Sequence, residues 1–498
     1  MANESPPDDG ECRSETTLYQ KSSSDLPGAS ASTEHNQQTP PCSNIGVKIV
    51  ITTVAMLFSM AIIPAGPLIS QYLINRLSRG QNLNNTSASY NQCDKDANDS
   101  SVTQANELQA TVSTLIMYYS YASSVPGILS GLIIGAYSDA LGRRMTLLLP
   151  LFGVTVRLII TVFIMKYDLD LRLFYLAYGV DGLSGTGFVV LIAFCAIVAD
   201  TNETKVERIL WLTIINVLSS ISTAASSILS GIAIKELGYF QTSVFLAVLC
   251  ALCFLIPLVF LRETKPNQEV RTLNLCKNVR KVFGFFLFDG TRWHKLTFII
   301  CLSMFFFAVI NEFGVVAIDT LYQLHRPFCW SSKLIGYYSA LKTGGGYFLA
   351  MVLMAALKSR VKMEYIGILA AVSQGASFCF QAFVKTTWQF FLVPIVAIPG
   401  CLITSVIRGL MSSLARPESQ GALFTSICIF EIVCQMAAYT VFSKVYAETV
   451  STFPGAVYLC MMSFSTISCV LIILYLKVHK YAQMPVYEKI INAEEDNG

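Results

Sequence analysis

The sequence predicts an all-α membrane protein with twelve transmembrane helices arranged as two six-helix bundles. Three observations carry that prediction: the composition, the number of apolar stretches, and the basic segment that divides them. Of 498 residues, 53% are hydrophobic and 13% charged, and the mean hydropathy is +0.55, too apolar for a water-soluble domain. A spanning helix needs roughly 20 mostly apolar residues. Six such stretches lie near 47–75, 108–137, 145–166, 172–199, 209–234 and 239–261, and six more near 296–323, 333–357, 363–384, 388–414, 420–446 and 454–477.

Between them runs "RETKPNQEVRTLNLCKNVRKVFGFFLFDGTRWHK", a basic linker. The expected organisation is a cytoplasmic tail (1–44), a first bundle (45–261), the linker (262–295), a second bundle (296–477) and a C-terminal tail (478–498). Residues 1–44 are rich in Ser, Pro, Asn and Gln and carry too little apolar surface to fold, so they read as disordered. The chain opens without an early apolar core, and no cleavable signal peptide is expected.

Lysine and arginine concentrate on the side of the chain termini, in "GRR" (142–144), "TKVER" (204–208), the linker and "KSRVK" (358–362). That side is therefore expected to be cytoplasmic, with both tails on it. Trp211, Trp293, Trp330 and Trp388 all fall at predicted span ends, where amphipathic rings favour the interface. The first loop on the opposite, exofacial side carries glycosylation sequons at Asn84, Asn85 and Asn98, which require a lumenal or extracellular position. Most of the 15 cysteines lie within spans and read as small apolar residues. Only Cys93 and Cys329 fall in exofacial loops; a bond between them would tie the two bundles on the oxidising side, and two free thiols are the alternative.

After the second span comes "GAYSDALGRRM" (135–145). With Gly135, Asp139, Gly142, Arg143 and Arg144 in register, it resembles the G-x-x-x-D-x-x-G-R-R signature of the major facilitator superfamily. Its glycines permit a tight turn, and Asp139 is suited to cap a helix or pair with an arginine. The resemblance implies a gate latch between two bundles built from inverted repeats. Three further strings, "GPLISQYLINR" (66–76), "LYQLHRPFCWSSKLIGYYSALK" (321–342) and "SVIRGLMSSLARPESQGALFTSI" (405–427), look like solute carrier family 46, which includes proton-coupled folate carriage and lysosomal branches. By that likeness Cys93 and Cys329 match an inter-loop disulfide, Asp139 and Arg143 the gate motif, Arg408 a tenth-helix arginine, and Asp181 in "GVDGLSGTG" a fourth-helix acid. Two positions depart from the folate-carrying pattern: Thr213 stands where a coupling glutamate is implied, and Glu312 where a histidine is. Glu431, in "IFEIVCQ", looks more like the lysosomal, broad-substrate branch.

A charge at the centre of a spanning helix costs at least about 2.5 kcal/mol, so each one needs a partner or a wet cavity. The candidates are Arg157, Asp181, Glu312, Asp319, Lys342, Arg408 and Glu431. Glu312 and Asp319 share a helical stripe, as do Glu431 and Gln435, and Arg408 is flanked by Thr404, Ser405 and Ser412. These stripes are expected to line one cavity. Glu312, Glu431 and Asp181 are the candidate proton carriers, and Arg408, Arg157, Lys342 and Gln435 the candidate substrate ligands; for Arg157 a purely structural partnership with an acid is an equal reading. His35, His294, His325 and His479 all lie outside the span interiors, so proton coupling there falls to carboxyls.

No P-loop, metal-ligand spacing or nucleophile elbow occurs, so no cofactor, metal or enzymatic activity is expected. A net charge of +3 with basic residues at span edges argues against nucleic acid. The expected partners are a small organic anion of folate-like, muropeptide or cyclic dinucleotide class, protons and the bilayer, with homo-oligomerisation left open. The alternatives are a proton-independent facilitator or exchanger of the same fold and a non-transporting receptor or scaffold. "YAQM" (481–484) and "YEKI" (487–490) fit endosomal sorting signals, and an endosomal or lysosomal membrane and the plasma membrane both remain open as locations.

Overall fold

The computed structural model describes residues 41–80, 99–202, 204–263, 292–414 and 420–495. Their regular structure is helical. The first half supplies α1 (Pro41–Gly80), α2 (Asp99–Leu141), α3 (Arg143–Tyr167), α4 (Leu173–Leu183), α5 (Thr186–Thr201), α6 (Lys205–Glu236) and α7 (Tyr239–Phe260). The second supplies α8 (Arg292–Leu324), α9 (Ser332–Ala340), a π turn (Leu341–Gly345), α10 (Gly346–Leu357), α11 (Met363–Phe383) and α12 (Thr387–Val396). It continues with a 3-10 turn (Pro399–Leu402), α13 (Ile403–Leu414), α14 (Gln420–Thr449) and α15 (Ala456–Glu495). Spans four, eight and ten are thus built in pieces.

Among the described residues ten stretches are long and apolar enough to cross a membrane, and α12 with α13, bent by 41°, makes an eleventh. The twelfth expected span, α2, is less apolar for a structural reason. Its Gln109, Ser113, Ser120, Ser123 and Ser124 are buried as it packs along α4 and α14, the small polar surface that lets membrane helices approach closely. Three helices run across expected boundaries. Pro41–Asn44 open α1 instead of closing the tail, α8 starts at Arg292 inside the expected linker, and α15 runs as helix to Glu495 through the expected tail. Residues 1–40, linker residues 264–291, Cys93, Asn84, Asn85 and Asn98 lie outside the described residues.

The breaks have local causes. Between α4 and α5, Gly185 takes φ 108°, a conformation that suits a residue without Cβ, and Ser184 Oγ donates to the Asp181 carbonyl at 2.7 Å. Span ten bends where Pro394 and Pro399 interrupt the helical ladder. At the α3–α4 turn, Asp168 caps α3 in the left-handed region and accepts Arg76 Nη1 at 2.6 Å, pinning α1 to that turn.

The end of the bundle bearing Gly142 is the motif end; the other, bearing Gln71 and Ser332, is the far end. One hydrophobic core is shared by both halves and includes Leu68, Tyr119 and Phe174 of the first and Ile318, Tyr338 and Tyr446 of the second. A second core, with Phe298, Ile366, Val406 and Ile472, belongs to the second half alone and lies toward the motif end. Polar contacts join the halves at the far end. Ser332 Oγ donates to Gln71 Oε1 at 2.6 Å, Tyr446 OH to Gln109 Oε1 at 2.7 Å, and Lys333 pairs with Glu236 at 2.6 Å. His325 joins them: Nδ1–H donates to Arg326 O at 2.6 Å and Nε2 lies 2.9 Å from Asn106 Oδ1. Trp330, expected at the interface, is instead buried at 3% exposure. Its ring packs against Phe328 and Phe390 and its indole N–H reaches Thr387 Oγ1 at 3.1 Å, because it closes the α8–α9 turn.

Candidate functional site

Below the closed far end lies a cavity of about 630 Å³, lined by both halves. Apolar and aromatic side chains such as Phe58, Phe188, Phe313 and Tyr439 form much of the wall. Its acidic and basic lining residues are Arg157, Asp181, Glu312, Asp319 and Lys342, and Gln435 also reaches it. All six of these were singled out as charges in apolar sequence, or as helical neighbours of such charges, and they do converge.

In the first half, Arg157 on α3 pairs with Asp181 on α4 at 3.3 Å. The pair is loosely satisfied. Ser123 Oγ donates to Asp181 Oδ2 at 3.3 Å, while Asp181 Oδ1 and Arg157 Nε are buried without a hydrogen-bond partner. The guanidinium also lies over the Tyr178 ring, 5.1 Å from its centre.

In the second half, Asp319 on α8 is tightly held. Lys342 Nζ donates to its Oδ2 at 2.5 Å, and Gln381 Nε2 and Tyr458 OH donate to its Oδ1 at 3.0 and 2.8 Å. Two turns toward the motif end, Glu312 accepts from Thr404 Oγ1 at 3.3 Å. Beyond Thr404, Arg408 forms a direct ion pair with Glu431. Neither residue lines the cavity. In this conformation Arg408, whose side chain is 42% exposed, is engaged by the Glu431 carboxylate, which is 2% exposed. Of the expected stripes, only Glu312 with Asp319 lines the cavity as a pair. Thr213 lies on α6 outside the lining.

At the motif end, Gly135 and Asp139 lie late in α2, and the Asp139 side chain is outside the described residues. Gly142 precedes α3 at φ 85° without a side-chain cap. Glu263 supplies the missing cap, accepting the Arg143 and Arg144 backbone N–H groups at 2.7 and 3.2 Å. A Cβ on Gly142 would collide with the Glu263 carboxylate. Arg143 Nε donates to Asp200 Oδ2 at 2.7 Å, and the Arg144 guanidinium bonds the Leu258 carbonyl. Asp200 and Glu263 were missed from the sequence. The available signal was their placement, each acid closing an apolar span on the basic side.

Cys329 is disulfide-bonded. Its expected partner Cys93 lies outside the described residues.

Two helical halves that meet at one end over a cavity lined by acidic and basic side chains define a multi-pass membrane carrier of the secondary transporter class, not an enzyme. The Major Facilitator Superfamily model matches residues 48–431, and the chain belongs to that superfamily. Among curated relatives it is 26% identical to the lysosomal proton-coupled steroid conjugate and bile acid symporter SLC46A3 of Homo sapiens, covering 83% of this chain and 91% of the relative. It is 24% identical to the proton-coupled folate transporter of Rattus norvegicus, covering 87% and 93%. Both agree with the solute carrier family 46 resemblance. Among solved structures, the human organic anion transporter MFSD10 (TETRAN) superposes with a TM-score of 0.59 at 16% identity, covering 87% of this chain and 100% of that one. A POT family transporter in complex with 5-aminolevulinic acid gives 0.59 at 14%, covering 86% and 96%.

Proposed function

We propose that this chain moves a small organic anion across a membrane by alternating access, in symport with protons, and that Glu312 carries the proton. The observation behind this is the place of Glu312: a carboxyl in the wall of a cavity between two halves, held by one 3.3 Å hydrogen bond from Thr404. The Arg408–Glu431 pair stands within electrostatic reach of it. A carboxyl so placed can load a proton from one side and release it to the other once the halves rock. The curated relatives' names, proton-coupled in both cases, support the coupling.

In this reading residues 45–261 and 296–477 are the two rocking bundles, the motif end and both tails face the cytosol, and the far end faces a lumen or the exterior. A closed far end then corresponds to the state open toward the cytosol. Cys93 and Cys329 form the bond between the first loops of the two halves, and Asn84, Asn85 and Asn98 are glycosylation sites on that same side. The membrane is lysosomal or endosomal, or the plasma membrane with an acidic exterior. Substrates of folate-like, muropeptide or cyclic dinucleotide class are candidates, to which the symporter relatives add steroid conjugates and bile acids.

The test is uptake of labelled members of these classes at pH 5.5 and 7.4, with the protein routed to the plasma membrane. Acid-stimulated uptake is expected, and Glu312→Gln is expected to abolish the stimulation at unchanged surface expression. Uptake without pH dependence identifies a proton-independent facilitator or exchanger, and no uptake a receptor or scaffold.

A further inference from the structure

The charged groups of the wall say nothing about the uncharged part of a cargo. Resting on the carrier reading, we propose that Gln374 recognises that part: its amide N–H groups are held facing the cavity, where they receive a neutral acceptor oxygen such as a carbonyl, sulfonyl or ether.

Gln374 lies on α11 and lines the cavity, although it is only 7% exposed. Its depth follows from register. Gln381 on α11 is hydrogen-bonded to Asp319 on α8, and both helices run from the motif end toward the far end. Seven residues back from each stand Gln374 and Glu312, a step of about 10 Å along either helix. The amide is therefore level with the carboxyl proposed to carry the proton.

Behind the wall a hydrogen-bond relay sets which way that amide points. Asn311 Nδ2 donates to the Met461 carbonyl at 3.1 Å and to Ser465 Oγ at 2.9 Å. A carbonyl only accepts, so the atom of Asn311 that faces it is the nitrogen. Ser465 in turn gives its single hydroxyl proton to Gln374 Oε1 at 3.1 Å. Oε1 is thus anchored on the protein side and Nε2 is left for the cavity. Among the described residues Nε2 has no hydrogen-bond partner, and it is not sealed behind the wall. The backbone is fixed as well. A Cβ on Gly400 would lie 3.1 Å from the Gln374 Cα and Cβ, and Ser377 Oγ donates to the Gln374 carbonyl at 2.8 Å.

Packing alone does not call for such a relay. Asn311 and Ser465 are fully buried, and Asn311 Oδ1 is left without a partner. Apolar residues at both positions would avoid that cost. What the relay adds is direction: one end of an amide is satisfied within the protein and the other is presented only as a donor. A cargo with no acceptor at that point strips Nε2 of water and returns nothing, and so is discriminated against.

The experiment uses the purified full-length protein in lipid nanodiscs and two probes that differ in one oxygen, estrone 3-sulfate and its 17-deoxy analogue, which lacks the ketone. Binding is read as the concentration giving half-maximal thermal stabilisation at pH 5.5. The wild type is expected to bind the ketone-bearing probe at least about five-fold more tightly. Gln374→Met, similar in volume but without N–H groups, is expected to bring that ratio to one by weakening only the ketone-bearing probe. Ser465→Ala, which frees Oε1, is expected at least to halve it. Equal or reversed preference in the wild type, or no binding of either probe, overturns the proposal. A ratio that survives Gln374→Met overturns it too, as do variants that lower the thermal midpoint of the unliganded protein with the ratio intact, the mark of a structural brace. Uptake separates the two readings. A ratio that depends on Gln374 without any transport sinks the carrier reading alone, and acid-driven transport with a ratio indifferent to Gln374 sinks this inference alone.

Discussion

Gly231 on α6 and Gly336 on α9 meet across the far end with no room for a side chain between them. A Cβ on Gly231 would lie 2.6 Å from the Ser332 carbonyl oxygen, and one on Gly336 2.5 Å from that of Ser227. Backbone, not a flexible side chain, is the obstacle on both sides. The closed far end therefore depends on two hydrogen atoms.

Gly336→Ala is expected to disfavour this closure by about 1–3 kcal/mol, the usual cost of overpacking, which is roughly a 5- to 150-fold shift between conformers. A cysteine at Gln71, a position 4% exposed, reports it. Labelling of that cysteine by an impermeant maleimide should rise in the Gly336→Ala background while surface expression stays unchanged.

The Glu263 carboxylate caps α3 through the Arg143 and Arg144 backbone N–H groups. Loss of a helix cap costs about 0.5–2 kcal/mol, so Glu263→Ala should lower the thermal midpoint of the purified protein. Asp200→Asn removes the charge that receives Arg143 and should also lower it, whereas Asp170→Asn, whose pair with Arg172 is exposed, should not.

Arg408→Gln leaves Glu431 buried without its cation, a change that costs about 3–5 kcal/mol in a protein interior. Low yield and a depressed thermal midpoint are expected. Neutralising both, Arg408→Gln/Glu431→Gln, should recover most of the lost stability, and thermal unfolding of the three variants side by side measures the coupling.

His325 lies outside the spans. Burial lowers its pKa from the ordinary 6.5, and the Arg326 charge lowers it further against the opposing hydrogen bond to the Arg326 carbonyl. Burial thus favours the neutral ring at the closed far end, with the Asn106 side-chain amide turned so that its N–H donates to Nε2. A base with a lowered pKa contributes its full stability above 6.5 and loses it as pH falls through that value toward the lowered one. Acid on the far side should loosen the turn 325–331. Hydrogen exchange of its amides, corrected for the intrinsic rate, should accelerate between pH 7.5 and 5.5 in the wild type and lose that pH response in His325→Gln.

The fold class was legible because lipid leaves a helix few choices: runs of apolar residues near the bilayer thickness mark the spans from Ile45–Arg79 to Ala456–Val478. α2 is the instructive exception, since burial of its serines against protein lowers the hydropathy that marks a span. The charged residues of the site were equally visible as costly exceptions in apolar sequence. Their partners were not assigned, yet a signal existed. Asp319 and Lys342 stand 23 residues apart, as do Arg408 and Glu431, and Arg157 and Asp181 are similarly spaced. Consecutive antiparallel spans bring such positions to equal depth. Which residues touch the cavity was beyond the sequence, because it depends on how the helices pack: Glu312 lines the cavity, whereas Arg408, one turn past Thr404, pairs with Glu431 outside the lining.

Among the described residues, the ion pairs within the spans never cross from one half to the other. Arg157 keeps Asp181, Lys342 keeps Asp319 and Arg408 keeps Glu431, each within its own bundle, while the pair that does cross, Lys333 with Glu236, sits at a solvated edge. Each of these pairs is thus neutral within its own bundle. The two halves can part and re-meet without stripping a counter-ion from any of the three pairs, so the electrostatic toll of motion falls on Glu312, which no cation pairs among the described residues, and on the cargo and its proton.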